Sequence, residues 1–456
     1  MNSDRYDLIV IGSGSAARAG ANKSSQEYGA RVALIDHFLW GGSCPNTACR
    51  PTKAYVTAAE QMHDVQHYAA ERGIGLPKPT IDLAQTRRWK DSLRRDQQSW
   101  QQVLKEAGYD IYAGTATFID AQNVRVGDTV LNGERVLVAS GSRSAVPPIP
   151  GLDEIDWIDH VTALELEEVP ESLLVLGGGP VGLEFGQIFA RFGSQVTIVN
   201  TGPQIAARSD REAADELQAV LEAEGIEVVL NSSVDSFARS DDAILATIGE
   251  RTLEVSQVLL AAGRRPNIDE LHPEHVGLEI GRDGIPVDDH QRTNVEGIWA
   301  AGDVAVGPLL TPIAQYQARI AIVDMFGDGS LRADYSVLPT AIFTDPELGD
   351  VGLSEAEAKE QGFDSEVVTH PLSAVTRAQY SRTKHGLFKI VFDASTRRVL
   401  GVHVVSRGAS DIVGSLAPAL SLGVTVDALA YMHHVYPSYS EGLKAAAEKA
   451  LIPQRI

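Results

Sequence analysis

The sequence predicts an α/β protein built on two Rossmann-like dinucleotide-binding domains. Three observations predict it. An apolar run, a glycine turn and a helical stretch follow one another near residue 10. The same order returns near residue 176. Proline-rich breaks divide a chain of 456 residues, a length that fits about two to four domains.

The first unit reads Asp7-Leu-Ile-Val-Ile-Gly12-Ser-Gly14-Ser-Ala-Ala17. Its apolar run is the signature of a buried parallel strand. A helix should follow to about Tyr28, then a strand over 32–35 closed by Asp36. The second unit reads Leu173-Leu-Val-Leu-Gly177-Gly-Gly179-Pro-Val-Gly182, with a helix to about Phe192 and a strand over 196–199 closed by Asn200. In each, the first glycine makes a tight turn and the second lets backbone N–H groups approach a pyrophosphate. The third small residue lets helix and strand pack closely. Asp36 stands where an acid binds a ribose hydroxyl; the alternative is a solvated loop acid. Two dinucleotide sites in one chain imply one dinucleotide passing electrons to another, and a flavin with a nicotinamide is the obvious pair.

The breaks fall at Val146-Pro147-Pro148-Ile149-Pro150-Gly151, at Arg265-Pro266-Asn267 and over 336–339. Composition is that of a soluble globular protein, 44% hydrophobic and 22% charged. Acidic residues outnumber basic ones 61 to 39, for a net charge of −22. That argues against nucleic acid, which needs a cationic surface, and leaves room for a local basic pocket. The first residues carry no basic stretch followed by an apolar one, and no apolar run nears the roughly 20 residues of a membrane span. The expectation is a cytoplasmic protein without a membrane partner.

The chain has two cysteines, Cys44 and Cys49, which excludes a disulfide framework and an all-cysteine metal site. On an ideal helix residues five apart are rotated by about 140° and do not face one another. Either Pro45 and Pro51 distort the start of a helix so that the two thiols meet, or these are buried cysteines that never do.

The run Gly41-Gly42-Ser43-Cys44-Pro45-Asn46-Thr47-Ala48-Cys49-Arg50-Pro51-Thr52-Lys53 resembles the redox-active disulfide of the pyridine nucleotide–disulfide oxidoreductases, the family of glutathione reductase, dihydrolipoamide dehydrogenase and mercuric reductase. Their pattern is G-G-T-C-x-N-x-G-C-x-P-[ST]-K. Ser43 and Ala48 are mild departures, and Arg50 stands where an apolar residue is usual. The resemblance covers the whole chain. It continues in Ala139-Ser140-Gly141-Ser142, Ala262-Gly263-Arg264-Arg265-Pro266-Asn267, Ile298-Trp-Ala-Ala-Gly302-Asp303, Leu310-Thr311-Pro312-Ile313-Ala314, Phe343-Thr344-Asp345-Pro346-Glu347 and Glu441-Gly442-Leu443-Lys444.

The resemblance implies the following. An FAD-binding domain is split between 1–150 and 271–336, an NAD(P)-binding domain occupies 151–270, and an α+β dimerisation domain fills 337–456. FAD would be held by Gly12, Gly14, Ser15, Ala16, Asp36, Gly42, Ser43, Lys53, Gly114, Ser140, Gly141, Asp303 and Ala314. The nicotinamide nucleotide would be held by Gly177, Gly179, Gly182, Asn200, Arg208 and Gly263. Neutral Asn200 permits NADPH, with Arg208 as a phosphate partner or a solvated arginine, so NADPH is preferred over NADH. Cys49 would be the flavin-proximal sulfur and Cys44 the one that attacks substrate. Lys53 would pair with Glu184, the alternative being unrelated surface charges. A helix N-terminus with Lys53 and Arg50 would favour the thiolate.

The chain departs from the family's disulfide reductases at His434-Val435-Tyr436-Pro437-Ser438-Tyr439-Ser440-Glu441. Tyr436 stands where they carry the acid–base histidine, supplied across the dimer interface and oriented by the residue matched by Glu441. Mercuric reductases carry a tyrosine there, yet they deliver Hg(II) with a C-terminal cysteine pair and carry an N-terminal metal-binding domain. This sequence has no third cysteine, and a soft metal needs thiolates, which argues against efficient mercury turnover and leaves no metal site assigned. His433 and His434 read as interface histidines, with acid–base work or metal ligation the alternatives. The lead expectation is a homodimeric FAD enzyme passing electrons from NAD(P)H through Cys44 and Cys49 to a small acceptor: a disulfide, a metal ion or another oxidant. The competing expectations are a flavin reductase acting on quinone or oxygen, and a redox-responsive FAD-binding protein.

Overall fold

The computed structural model describes residues 5–37, 39–240, 243–381 and 385–452. It divides into two compact units.

The first unit gathers residues 1–52, 88–145 and 263–334. Its centre is a five-stranded parallel sheet in the order Ile298–Ala300, Val136–Val138, Leu8–Ile11, Val32–Asp36 and Asp110–Ala113. The central strand, LIVI, is buried along its whole length, as a parallel strand covered on both faces must be. Burying each such side chain contributes on the order of 1.5–3 kcal/mol. Helices Ser15–Tyr28 and Thr311–Phe326 share a core with this sheet through small residues: Ala17 and Ala21 on one, Ala318 and Ala321 on the other. Gly29, in the left-handed conformation, ends the first helix and donates its N–H to Ser25 O at 3.0 Å. A second sheet, of strands Arg5–Tyr6, Thr129–Gly133, Asn123–Val126 and Ala116–Phe118, adds a separate apolar layer. The antiparallel ribbon Ser142–Ser144 with Arg264–Pro266 marks where the chain leaves this unit and returns.

The second unit gathers residues 53–87, 146–262 and 335–456. It holds a four-stranded parallel sheet, ordered Glu227–Val229, Gln195–Val199, Ser172–Leu176 and Gln257–Leu260. Helix Pro180–Phe192 packs on it with Leu183, Phe185, Ile188 and Phe189 buried. A five-stranded antiparallel sheet, ordered Thr340–Ile342, Glu347–Gly352, Val399–Ser406, Leu387–Asp393 and Ser365–Pro371, is backed by helices Ala409–Ser421 and Glu441–Lys449. Among the described residues no helix is long and apolar enough to cross a membrane.

Two arginines of this unit share a network of carboxylates. Arg191 meets Glu224 at 2.7 Å and Asp345 at 3.0 Å, while Arg407 meets Asp345 at 2.8 Å and Asp64 at 2.7 Å. Glu60, on helix Cys49–Tyr68, sits in the field of this network. Burial, aided by Asp345 and Glu347 and opposed by Arg407 and Arg191, pushes its carboxyl up to about 7. In the unfolded chain a glutamate titrates near 4.3. The folded form therefore holds the proton more tightly, and the resulting stabilisation is complete below about pH 4 and lost as pH rises through about 7. Glu60→Gln should raise the unfolding free energy at pH 8 by on the order of 1 kcal/mol, discounted for partial exposure and seen as a higher thermal midpoint, and leave the midpoint unchanged at pH 4. Thermal melts at the two pH values check this; an equal shift at both would assign the effect to packing.

Candidate redox-active site

The dinucleotide cradles come first. Gly14 is the N-cap of helix Ser15–Tyr28 and Gly179 that of helix Pro180–Phe192, and no side chain caps either. Their leading N–H groups are left to an anion, which is what a pyrophosphate site needs. Gly12 has φ +110, and a Cβ there would lie 2.3 Å from Ala139 O. A Cβ on Gly42 would lie 2.4 Å from Gly14 Cα, and one on Gly182 would lie 1.9 Å from Gly177 O. The backbone groups at both turns are thus free of covering side chains, and the residues fit FAD at the first and a nicotinamide nucleotide at the second.

Asp36 is tied back to the first turn. It accepts from Ser13 Oγ at 2.6 Å and from Leu39 N–H at 3.2 Å, while Ser13 Oγ accepts from Gly41 N–H at 2.9 Å. Gly114 donates its N–H to Asp36 O at 3.0 Å. Asp303 accepts from Ser142 Oγ at 2.8 Å, with Arg264 Nε at 3.5 Å. Ser140 Oγ donates to Asn267 O at 2.6 Å, Asn267 N–H donates to Gly141 O at 2.9 Å, and Ala145 N–H donates to Gly263 O at 3.0 Å, so these three fix the returning ribbon. Ala16 and Ala314 both face Gly302, where a Cβ would stand 3.2 and 3.3 Å from theirs. Ser15 opens its helix, and Ser43, which is exposed, opens the short helix that carries Cys44.

In the second cradle Asn200 serves its own loop. Its Oδ1 accepts from Gly178 N–H at 3.1 Å, and its Nδ2 donates to Gln204 O at 2.8 Å and Gly202 O at 3.3 Å. Arg208 is exposed and has no hydrogen-bond or ion-pair partner among the described residues.

The cysteine segment is not one helix. A short helix, Ser43–Asn46, stops at Thr47 with φ −136, and the long helix Cys49–Tyr68 begins two residues later. The break brings the thiols together: Cys44 and Cys49 are unbridged and share a hydrogen bond. Asn46 pins the break, donating from Nδ2 to Gly42 O at 2.7 Å and Trp40 O at 3.0 Å, while its own carbonyl accepts from Arg94 at 3.0 Å. Cys49 Sγ lies 3.5 Å from Thr311 Oγ1, at the start of helix Thr311–Phe326, whose N-terminus has no side-chain cap. That helix end favours negative charge on sulfur.

The hydrogen bond with Cys49, then burial, pushes the Cys44 thiol up, whereas Thr311 and the Arg18 guanidinium act to lower it. Arg18 is a cation that sequence reading did not set against this sulfur. Lys53 Nζ is committed to Glu184 Oε2 at 2.6 Å and stands 4.2 Å above the Phe343 ring. Glu184 Oε1 accepts from Phe343 N–H at 3.0 Å. Arg50 is exposed. Sequence reading missed Arg18, Asn46 and the Phe343 shelf; each acts through a partner remote in sequence.

Glu441, on the second unit, accepts from Thr376 N–H, and its Oε2 is buried without a partner. Tyr436 is 69% exposed, and neither it nor His434 makes a hydrogen bond among the described residues. The segment around them presents Tyr431, Val435 and Tyr436 to solvent.

Comparison with known proteins agrees with this architecture. Residues 6–318 match the family model for pyridine nucleotide-disulphide oxidoreductases, and 338–447 match the dimerisation domain of the same family. The chain is 36% identical over 454 residues to a mercuric reductase of Lysinibacillus sphaericus, covering 98% of this chain and 83% of that protein. It is 35% identical to a dihydrolipoyl dehydrogenase of Halobacterium salinarum, covering 98% and 96%. Among solved structures, the Cu(II) complex of the HOCl-induced flavoprotein disulfide reductase RclA from Escherichia coli superposes with a TM-score of 0.87 at 29% identity, covering 98% of this chain and 99% of that one. The near-equal identities to the first two leave the acceptor to be argued from the site.

The close approach at Gly42 gives a direct test of the cradle. Gly42→Ala forces a Cβ against backbone, which cannot yield as a side chain can, and Asp303→Ala frees Ser142 and Arg264. Both should purify with substoichiometric flavin, Gly42→Ala the more severely, as read by the ratio of flavin to protein absorbance. Full flavin content in Gly42→Ala would show that the cradle opens at no cost.

Proposed function

The chain belongs to the pyridine nucleotide-disulphide oxidoreductase family, whose members use FAD and NAD(P)H, and we propose that it is an NADPH-preferring member whose Cys44–Cys49 pair reduces small disulfides with acidic leaving thiols. The observation that carries this reading is the broken helix start that brings two thiols into hydrogen-bond contact. Bound FAD supplies the two-electron link between nicotinamide and the cysteine pair. The chain's residues do the rest. Cys44 is half-buried but solvent-reachable, and as thiolate it attacks one sulfur of the acceptor and expels the first thiol. Cys49, held by Thr311, then attacks the Cys44 sulfur, releases the second thiol and closes the Cys44–Cys49 disulfide.

The leaving group sets the specificity. Expelling an alkyl thiolate needs a proton, and a phenol is by its chemistry a poor source of one at neutral pH. A thiol that is already acidic leaves unaided. The match to a dimerisation domain and the exposed Tyr431, Val435 and Tyr436 support a homodimer in which Tyr436 and Glu441 serve the partner's cysteine pair. Arg208, exposed and without a partner among the described residues, and the neutral Asn200 support NADPH. A cysteine pair that cycles on NADPH belongs in the cytoplasm, where that reductant is made.

A steady-state screen of the FAD holoenzyme tests the reading. Aromatic disulfides with acidic thiols should be reduced with a kcat/KM at least about 100-fold above that for lipoamide or glutathione disulfide, the low end of what general acid help is worth. Tyr436→His should raise turnover of glutathione disulfide about tenfold or more. If Tyr436→Phe and Tyr436→His change nothing while His434→Ala abolishes turnover, His434 is the acid and the leaving-group argument is wrong. A second reading, a soft metal ion as acceptor, draws on relatives named mercuric reductase and on the exposed Cys49. Hg(II)- or Cu(II)-dependent NADPH oxidation exceeding that with every disulfide would favour it.

Arg208 carries the cofactor prediction. Arg208→Ala should lower the NADPH-to-NADH ratio of kcat/KM about tenfold, the loss of one charge-assisted contact, measured by flavin reduction. A wild-type preference for NADH would overturn the assignment.

A further inference from the structure

The first unit keeps two guanidiniums on one indole. Arg18, one turn into helix Ser15–Tyr28, stands 4.9 Å from the Trp100 ring centroid, and Arg95 stands 5.0 Å from it. The ring lies on Gly41, where a Cβ would come within 2.5 Å of it, and Gly41 begins the turn that leads to Cys44. Neither arginine meets a carboxylate among the described residues, although the chain has 61 acidic side chains and pairs Arg31, Arg94, Arg191 and Arg407. Arg18 Nε is buried without a hydrogen-bond partner, and so is Nε1 of Trp100, a side chain only 7% exposed. Two like charges held together repel, and an unanswered buried donor costs free energy. Burial and then Arg95 act to depress the Arg18 guanidinium, and the Cys44 sulfur acts against them. A cluster so arranged is completed by an anion.

We propose that Arg18 and Arg95, stacked on Trp100 beside the Cys44 turn, bind an anionic group of the acceptor and make the enzyme selective for carboxylate-bearing disulfides. Guanidinium matches carboxylate in planar, charge-assisted hydrogen bonds, and the indole face holds both cations in place. Exposed Arg95 stands at the solvent side and half-buried Arg18 nearer the sulfur. The anion they hold presents its disulfide bond to Cys44. The electrons are those of the proposed reaction: the cysteine pair is oxidised to its disulfide, and the acceptor is reduced to two thiols. The proposal rests on that disulfide-reductase reading but can fail separately from it.

The test uses FAD holoenzyme with three disulfides, anionic dithiobis(nitrobenzoate), neutral hydroxyethyl disulfide and cationic cystamine, at low and high salt. The anionic-to-neutral ratio of kcat/KM should fall about tenfold in Arg18→Met and in Arg95→Met, and Arg18→Lys should recover part of it. High salt should shrink the wild-type ratio. A ratio unchanged in both Met variants overturns the proposal, as does loss of flavin in Arg18→Met, which would make Arg18 a cofactor residue. A second measurement does not depend on turnover. In NADPH-reduced enzyme, Cys44 is alkylated by iodoacetate and by neutral iodoacetamide, and the rate ratio isolates charge recognition from thiol acidity. The ratio should favour iodoacetate in the wild type and fall about tenfold in the Met variants. If no disulfide is turned over but this ratio behaves as stated, the anion site stands and the disulfide-reductase reading fails. Equal ratios in wild type and variants overturn the site whatever the turnover.

Discussion

The contact between Gly14 and Gly42 is the constraint on which the redox site depends. The two backbones approach so closely that a Cβ on Gly42 would fall 2.4 Å from Gly14 Cα. Gly14 starts the helix that offers its N–H groups to a pyrophosphate, and Gly42 starts the turn that delivers Cys44. Nothing but glycine permits that approach, so the dinucleotide turn and the sulfur chemistry are held at a fixed separation by main chain alone. The Ser13 hydroxyl reinforces it, bonded to both Gly41 N–H and the Asp36 carboxylate.

The two glycine turns are alike in backbone and unlike in what surrounds them. Both leave a helix N-terminus uncapped and both place a small residue against the strand. In the first, the residue closing the next strand is an acid bonded to Ser13, which keeps a carboxylate where a ribose would lie. In the second it is Asn200, whose amide bonds Gly178, Gly202 and Gln204 and so shapes the loop instead of presenting a charge. At this position of the second turn no carboxylate stands to repel a 2′-phosphate, and the amide ties its own loop together.

Much of this was legible in the sequence because it is local. Strand, turn and helix at residues 8–28 and 172–192 follow from apolar runs, glycine spacing and the glycines at 29 and 193 that stop each helix. The proline-marked break at the cysteines was legible too, since residues five apart on an unbroken helix cannot face one another. The Lys53–Glu184 pair, 131 residues apart, was legible only through the family resemblance, and other interactions with partners remote in sequence escaped. Asn46 is an unremarked residue of a motif until Trp40 O, Gly42 O and Arg94 are found around it. Arg18 reads as a surface residue of a helix, and only folding sets Trp100 beneath it. The nearest cations in sequence, Arg50 and Lys53, were the natural candidates to act on Cys44, but one faces solvent and the other is committed to Glu184.

That last contrast separates structural from functional charge in this protein. Lys53 is half-buried and answered: Glu184 neutralises it at 2.6 Å, and the second oxygen of Glu184 is in turn held by Phe343 N–H. Such a pair is self-contained and asks nothing of a ligand. Arg18 is also half-buried, yet among the described residues no carboxylate answers it and its Nε has no acceptor, while a second guanidinium shares its indole. In a chain of net charge −22 acids outnumber bases 61 to 39, and the lack of a compensating one here among the described residues has a chemical consequence. An internal carboxylate would satisfy Arg18 permanently and stand as a fixed negative charge beside a sulfur that must itself become negative. Leaving the arginines unpaired keeps the local field positive for the Cys44 thiolate and reserves the same field for whatever anion arrives with the oxidant.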